Sequence, residues 1–141
     1  MKQIRKLGNV YAIPLPDGKY AYGRQYKDPC IGISKFISNK IIKKPDFSAI
    51  DFFVGVYNDV LTSGIWPKVC NYPFESEEEA WGPPMYIQDQ LNPANYEIYY
   101  KGLIRKASKA ECIGLERCAV WDSNHIIDRI MGNERWTEIC K

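Results

Sequence analysis

Histidine is nearly missing from this chain: His125 is the only one among 141 residues. General acid–base and nucleophilic catalysis near neutral pH leans most often on a histidine held beside a second polar group. Asp122 and Ser123 stand next to His125 and complete the letters of a hydrolytic triad, but triad members converge from separate segments. Three such residues at the start of a predicted helix read as capping groups. The sequence also lacks a Cys-x-x-Cys pair, a Gly-anchored loop of alternating oxygen ligands, a phosphate loop and a Gly-x-Gly-x-x-Gly turn. Their absence removes the recognisable zinc, calcium and nucleotide sites. No catalytic residue, metal ligand or cofactor is assigned, and the expectation is a protein that is not an enzyme.

Long apolar runs are missing too. Nowhere do eighteen consecutive apolar residues occur, and no apolar run of signal-peptide length follows the charged opening Met1 to Lys6, so a cytoplasmic protein with no membrane partner is expected. The five cysteines, Cys30, Cys70, Cys112, Cys118 and Cys140, are odd in number and lie 40, 42, 6 and 22 residues apart. That is no disulfide framework, and it suits small apolar side chains in a reducing compartment. A strong excess of one charge is lacking as well. The net charge is +2 and the isoelectric point about 8.2, too weak a basic balance for phosphate neutralisation. Nucleic acid is therefore the disfavoured partner. The alternative that stays open is a small β-barrel module binding nucleic acid or a small ligand, because Lys40, Lys43 and Lys44 flank a loop and Tyr20, Tyr22 and Tyr26 share a strand face. The charge is unevenly spread: residues 1–70 carry +6 and residues 71–141 carry −4, an asymmetry able to steer a charged partner.

What is present is an ordinary globular composition, 45% apolar and 26% charged, with ten tyrosines and four tryptophans. The length suits one domain spanning residues 1–141. Val10 to Ile13 is a strand, Leu15-Pro16-Asp17-Gly18 is a turn, and Lys19 to Tyr26 is a second strand that completes a hairpin. Tyr20, Tyr22, Arg24 and Tyr26 fall on one face of that strand. Gly23 in its middle marks a bulge or the close approach of another backbone.

Ile31 to Ile37 is a third strand, and Ile50 to Tyr57, apolar at nearly every position, reads as a central strand covered on both faces. Asn58 to Gly64 holds one helical turn, Trp66 to Tyr72 a short edge strand, Tyr96 to Lys101 a strand, and Leu115 to Trp121 the last strand. Ser108 with Glu111 has the spacing of a capping box that opens a short helical turn ended by Gly114. The clearest helix follows Asp122 and Ser123, with Ile126, Ile127, Ile130 and Met131 as its apolar stripe and Gly132 as its stop. The fold class is α+β: a curved, mostly antiparallel sheet, small-barrel-like, with a C-terminal helix packed on it.

Between Pro73 and Pro84 the chain is too polar and too broken for a core. Glu75, Glu77, Glu78 and Glu79 precede Trp81 there, and these five residues are the candidate partner-binding set: complementary charge speeds encounter and a tryptophan supplies a desolvated anchor. Arg24 is expected to stack on a ring or to pair with a carboxylate such as Glu116.

The stretch from Gly8 to Arg24, GNVYAIPLPDGKYAYGR, resembles the opening of the immunity protein 26 family of bacterial polymorphic toxin systems. Phe53-Val54-Gly55-Val56, Gly64-Ile65-Trp66-Pro67, Gly114-Leu115-Glu116, and Ala119-Val120-Trp121-Asp122 leading to His125 and Arg129 are similar to that family in the same order. The resemblance implies an immunity protein that binds and neutralises a cognate toxin domain, with no catalytic residues to carry over. Gly23, Arg24, Trp66 and Glu116 lie in these segments and are expected to serve the fold. Nothing in the sequence specifies an oligomeric state.

Overall fold

The computed structural model describes residues 2–27 and 30–141. The predicted hairpin is present: β1 (Asn9–Pro14) and β2 (Tyr20–Gln25) pair antiparallel with Ala12 opposite Tyr22. Gly18 closes it at a φ of +84°, a conformation that glycine adopts without steric penalty. The chain continues through β3 (Cys30–Ser34), β4 (Ile50–Val56), α1 (Asn58–Thr62) and β5 (Lys68–Asn71). Then come β6 (Met85–Gln88), β7 (Tyr96–Tyr100), β8 (Leu103–Ala107), α2 (Lys109–Cys112), β9 (Glu116–Arg117), β10 (Val120–Trp121) and α3 (Ser123–Ile130).

Two sheets form where the sequence suggests one. The first has the order β10-β4-β3-β2-β1-β5 and the second β8-β7-β6-β9. Both are open, so neither makes the barrel that full closure of a sheet would give. The cause lies in the stretch from Leu115 to Trp121, which reads as one strand but is divided between the sheets. Its first half, β9, runs parallel to β6, and its second, β10, runs parallel to β4. The residues between are tied to both sides: Cys118 N donates to Tyr86 O at 2.8 Å, and Ala119 O accepts from Gly55 N at 3.0 Å. β6 and β8 were not anticipated; β8 is exposed on both faces and carries little apolar alternation.

The first sheet is covered on both sides across β1 to β3. On one face Tyr11, Ile13, Ala21, Ile31, Ile33, Phe52, Val54 and Val56 meet Trp66, Trp121 and Ile126. On the other, Val10, Ala12 and Tyr22 lie beneath Phe36, Ile42, Phe47 and Tyr72, so Tyr22 offers no exposed ring for base stacking. Gly23 answers to a side chain, not to a backbone or a bulge. The register with β1 passes it without a shift, and a Cβ added there would lie 2.6 Å from Ile31 Cδ1. β4 is not buried on both faces as expected. Phe52, Val54 and Val56 point into the core while Asp51 is exposed, and Phe53 serves a separate cluster with Tyr26, Cys30, Met85 and Phe74.

The helices largely follow their predicted signals. α1 stops before Gly64 at φ +91°, and Ser108 Oγ accepts from Glu111 N at 3.3 Å at the start of α2. In α3, Ile126 is fully buried and Ile127 and Ile130 pack against the core, whereas Met131, past the last helical turn, is 45% exposed. Asp122 occupies the N-cap position without a side-chain bond; its carbonyl accepts from Ile126 N at 3.2 Å. Burial of a side chain the size of Ile126 contributes roughly 1.5–3 kcal/mol, which is how so short a helix holds its place.

A candidate recognition site at the junction of the two sheets

The acidic stretch follows a short stem, Tyr72 to Phe74, and Arg24 organises that stem. Its Nη2 and Nε donate to Tyr72 O at 2.6 and 3.1 Å, and Nη2 also reaches Pro73 O at 3.2 Å. Its guanidinium lies 3.8 Å from the centre of the Phe74 ring and 5.7 Å from that of Tyr26. The expected partner Glu116 is elsewhere, paired with Arg129 at 2.7 Å. Planar stacking combined with a forked donor is chemistry that a lysine ammonium does not reproduce.

Past the stem, a 3-10 turn at Glu78–Ala80 presents the acidic residues. Its base is pinned because Ala80 is buried and its carbonyl accepts from Lys27 N at 2.8 Å. Glu75, Glu77, Glu78 and Glu79 are all exposed and lie on this one projection, so the structure brings the sequence-predicted acids together. Two of them are not free charges. Glu77 accepts from Lys27 Nζ at 2.6 Å, and Glu78 accepts from Lys101 Nζ. The Lys27 hydrogen bond holds the Glu77 carboxyl below the ordinary carboxylate range, and the Glu78 hydrogen bond raises the Lys101 ammonium above its usual value. Glu79 Oε2 accepts from Glu75 N at 3.0 Å, which braces the turn internally.

Trp81 is half-buried, its ring 5.1 Å from Lys27 Nζ. It forms one wall of a pocket of about 370 Å³ at the junction of the sheets, lined also by Lys27, Cys30, Gly55, Gly82, Pro83, Met85, Tyr99, Lys101 and the connector Cys118 to Val120. The sequence reading missed this pocket. Its nearest signal was Trp81-Gly82-Pro83-Pro84, where an aromatic beside a glycine leaves space: a Cβ on Gly82 would lie 2.9 Å from Cys30 Sγ.

The other predicted residues lie apart from this site. Trp66 is in the main core, and Gly23 is beneath Ile31. Glu116 and Arg129 form a buried pair, the guanidinium 4.0 Å from the Phe52 ring centre. His125 stacks on Trp136 at 3.8 Å, and its backbone N–H donates to Asp122 O at 3.1 Å as part of the helix start. Among the described residues no group of His, Cys, Asp and Glu has the geometry of a metal site, and no helix is long and apolar enough to cross a membrane.

The family model described as Immunity protein 26 matches residues 6–97, nearly two thirds of the chain. The matched region runs from the hairpin into β7 and contains Gly23, Arg24, Trp66, the acidic turn and Trp81; Glu116, His125 and Arg129 lie beyond it. No curated protein and no solved structure matches the chain.

Proposed function

The chain belongs to the immunity protein 26 family, and on that premise we propose that it acts in the cytoplasm of a toxin-producing bacterium, or of its kin, as the stoichiometric inhibitor of a cognate toxin domain of a polymorphic toxin system. The family match carries this reading. The site geometry supports it with a braced acidic projection beside a half-buried tryptophan, and fixed charge around a desolvated aromatic is the usual composition of a tight interface. Glu75, Glu77, Glu78, Glu79 and Trp81 are the proposed contact residues, facing a basic surface of the toxin. Blocking of the toxin is by binding alone, with no chemistry done on it.

The test is capture of the protein encoded immediately upstream, followed by association kinetics at low and high salt. Co-purification in a 1:1 ratio and rescue of growth when both are co-expressed are expected. Changing Glu77, Glu78 and Glu79 to Gln should slow association by roughly tenfold at low salt and flatten its salt dependence. An unchanged rate moves the interface off the acidic turn; failure to bind the upstream protein at all overturns the immunity reading.

A further inference from the structure

We propose that the pocket at the sheet junction is a binding site for a small organic carboxylate with an aromatic or branched aliphatic body, a function beyond toxin capture although Trp81 is common to both. At about 370 Å³ the space lies within the roughly 300–1,000 Å³ range of small-molecule sites and far exceeds the about 30 Å³ that one water occupies. Three shallower clefts are as large, so it is the lining and not the size that singles it out. Its walls are apolar where Trp81, Pro83, Met85, Ala119 and Val120 contribute, and Gly55 and Gly82 add no side chain.

Among the described residues the charge of the lining has one sign. Lys27 and Lys101 are the charged residues that line it, with side chains 24% and 31% exposed, while their partners Glu77 and Glu78 are 79% and 76% exposed and turn away to solvent. An ammonium has three N–H donors, of which each glutamate takes one. A ligand carboxylate between the two lysines would accept from the remaining donors without displacing either glutamate. Its body would lie against Trp81 and Tyr99, where area burial and ring contact hold it. The Tyr99 hydroxyl is itself buried and without a hydrogen-bond partner, so it is the ring and not the hydroxyl that a ligand would meet. A phosphate ester would meet the same ammoniums but would set a doubly charged, strongly hydrated group against apolar walls.

The test titrates the full chain with 3-phenylpropionate and 3-(indol-3-yl)propionate, with their primary amides, and with inorganic phosphate, and follows backbone amide resonances. Saturable shifts at Gly55, Gly82 and Val120 are expected, with the acids binding about tenfold more tightly than the amides because the charge-assisted hydrogen bonds are lost in the latter. Lys101→Met should erase the preference for acid over amide. Val120→Trp should fill the pocket and abolish saturation; Val120 is 48% exposed, so the fold has room for the change, and Lys101→Met decides the matter if that protein does not fold. Equal affinity for acid and amide, phosphate binding as tightly as the acids, or shifts confined to the Lys40–Lys44 loop would each overturn the proposal. None of these outcomes depends on the toxin, so failure here is distinguishable from failure of the immunity reading.

Discussion

Removing the Glu116 carboxylate tests how the C-terminal half of the molecule is held. Glu116 in β9 and Arg129 in α3 pair at 2.7 Å with side chains only 8% and 9% exposed. The guanidinium is sandwiched near Phe52, at 4.0 Å, and Trp121, at 5.6 Å. Glu116 Oε2 and Arg129 Nη1 have no hydrogen-bond partner, so the charge on each side is balanced chiefly by the other. Glu116→Leu leaves a guanidinium buried without an anion, and breaking a buried pair from one side costs about 3–5 kcal/mol. Against a total stability of about 5–15 kcal/mol this is a large fraction, and for a chain of this size it lowers the melting temperature by about 10–15 °C. Arg129→Met should do comparable damage. The double variant Glu116→Leu/Arg129→Met removes both charges at once, and it should recover about 2 kcal/mol or more over either single change. Urea unfolding followed by tryptophan fluorescence and circular dichroism, at all four corners of the cycle, measures this. A loss under about 1 kcal/mol for Glu116→Leu, or a double variant as unstable as the sum of the singles, would show that the pair is solvated and that the reasoning from burial fails.

Ile126→Asp should abolish cooperative unfolding, since Ile126 is fully buried and an unpaired carboxylate there costs several kcal/mol; the half-buried Ile127 should tolerate Asp better, and equal damage at both positions would mean the helix face is misread. Arg24→Lys removes the stack on Phe74 and the forked donation to Tyr72 O. It should destabilise by about 1–2 kcal/mol while toxin affinity stays within a few fold; unchanged stability with lost binding would make Arg24 a contact residue. Gly23→Ala puts a methyl 2.6 Å from Ile31 Cδ1, an overpacking worth about 1–3 kcal/mol by thermal melting, and Ile31→Val in the same chain should return part of it. Because Glu77 titrates below the ordinary carboxylate range, whatever its pair with Lys27 contributes is present above that range and is lost only as pH falls through the lowered value. A carbon-detected titration of the Glu77 carboxyl checks this, and a midpoint at or above the ordinary range would show that the pair is not formed.

The features legible in the sequence are those whose causes sit within a few residues of one another. Pro16, Asp17 and Gly18 specify the hairpin turn locally, Ser108 finds its N–H three residues on, and the Ile126, Ile127, Ile130 spacing places an apolar stripe on α3 whatever it packs against. The acidic turn was visible as a run of charge, and its exposure followed from that. Tertiary structure decided the rest, because it depends on which elements meet. Periodicity in Leu115 to Trp121 cannot say that its halves serve two sheets; that follows from Cys118 bonding to β6 while Ala119 bonds to β4. Lys27 and Glu77 are fifty residues apart in the chain, and nothing local announces that the acidic run is half neutralised. The pocket depends most on assembly, since Cys30, Trp81, the Tyr99–Lys101 stretch and Val120 come from four separated segments and line one space only when the two sheets meet.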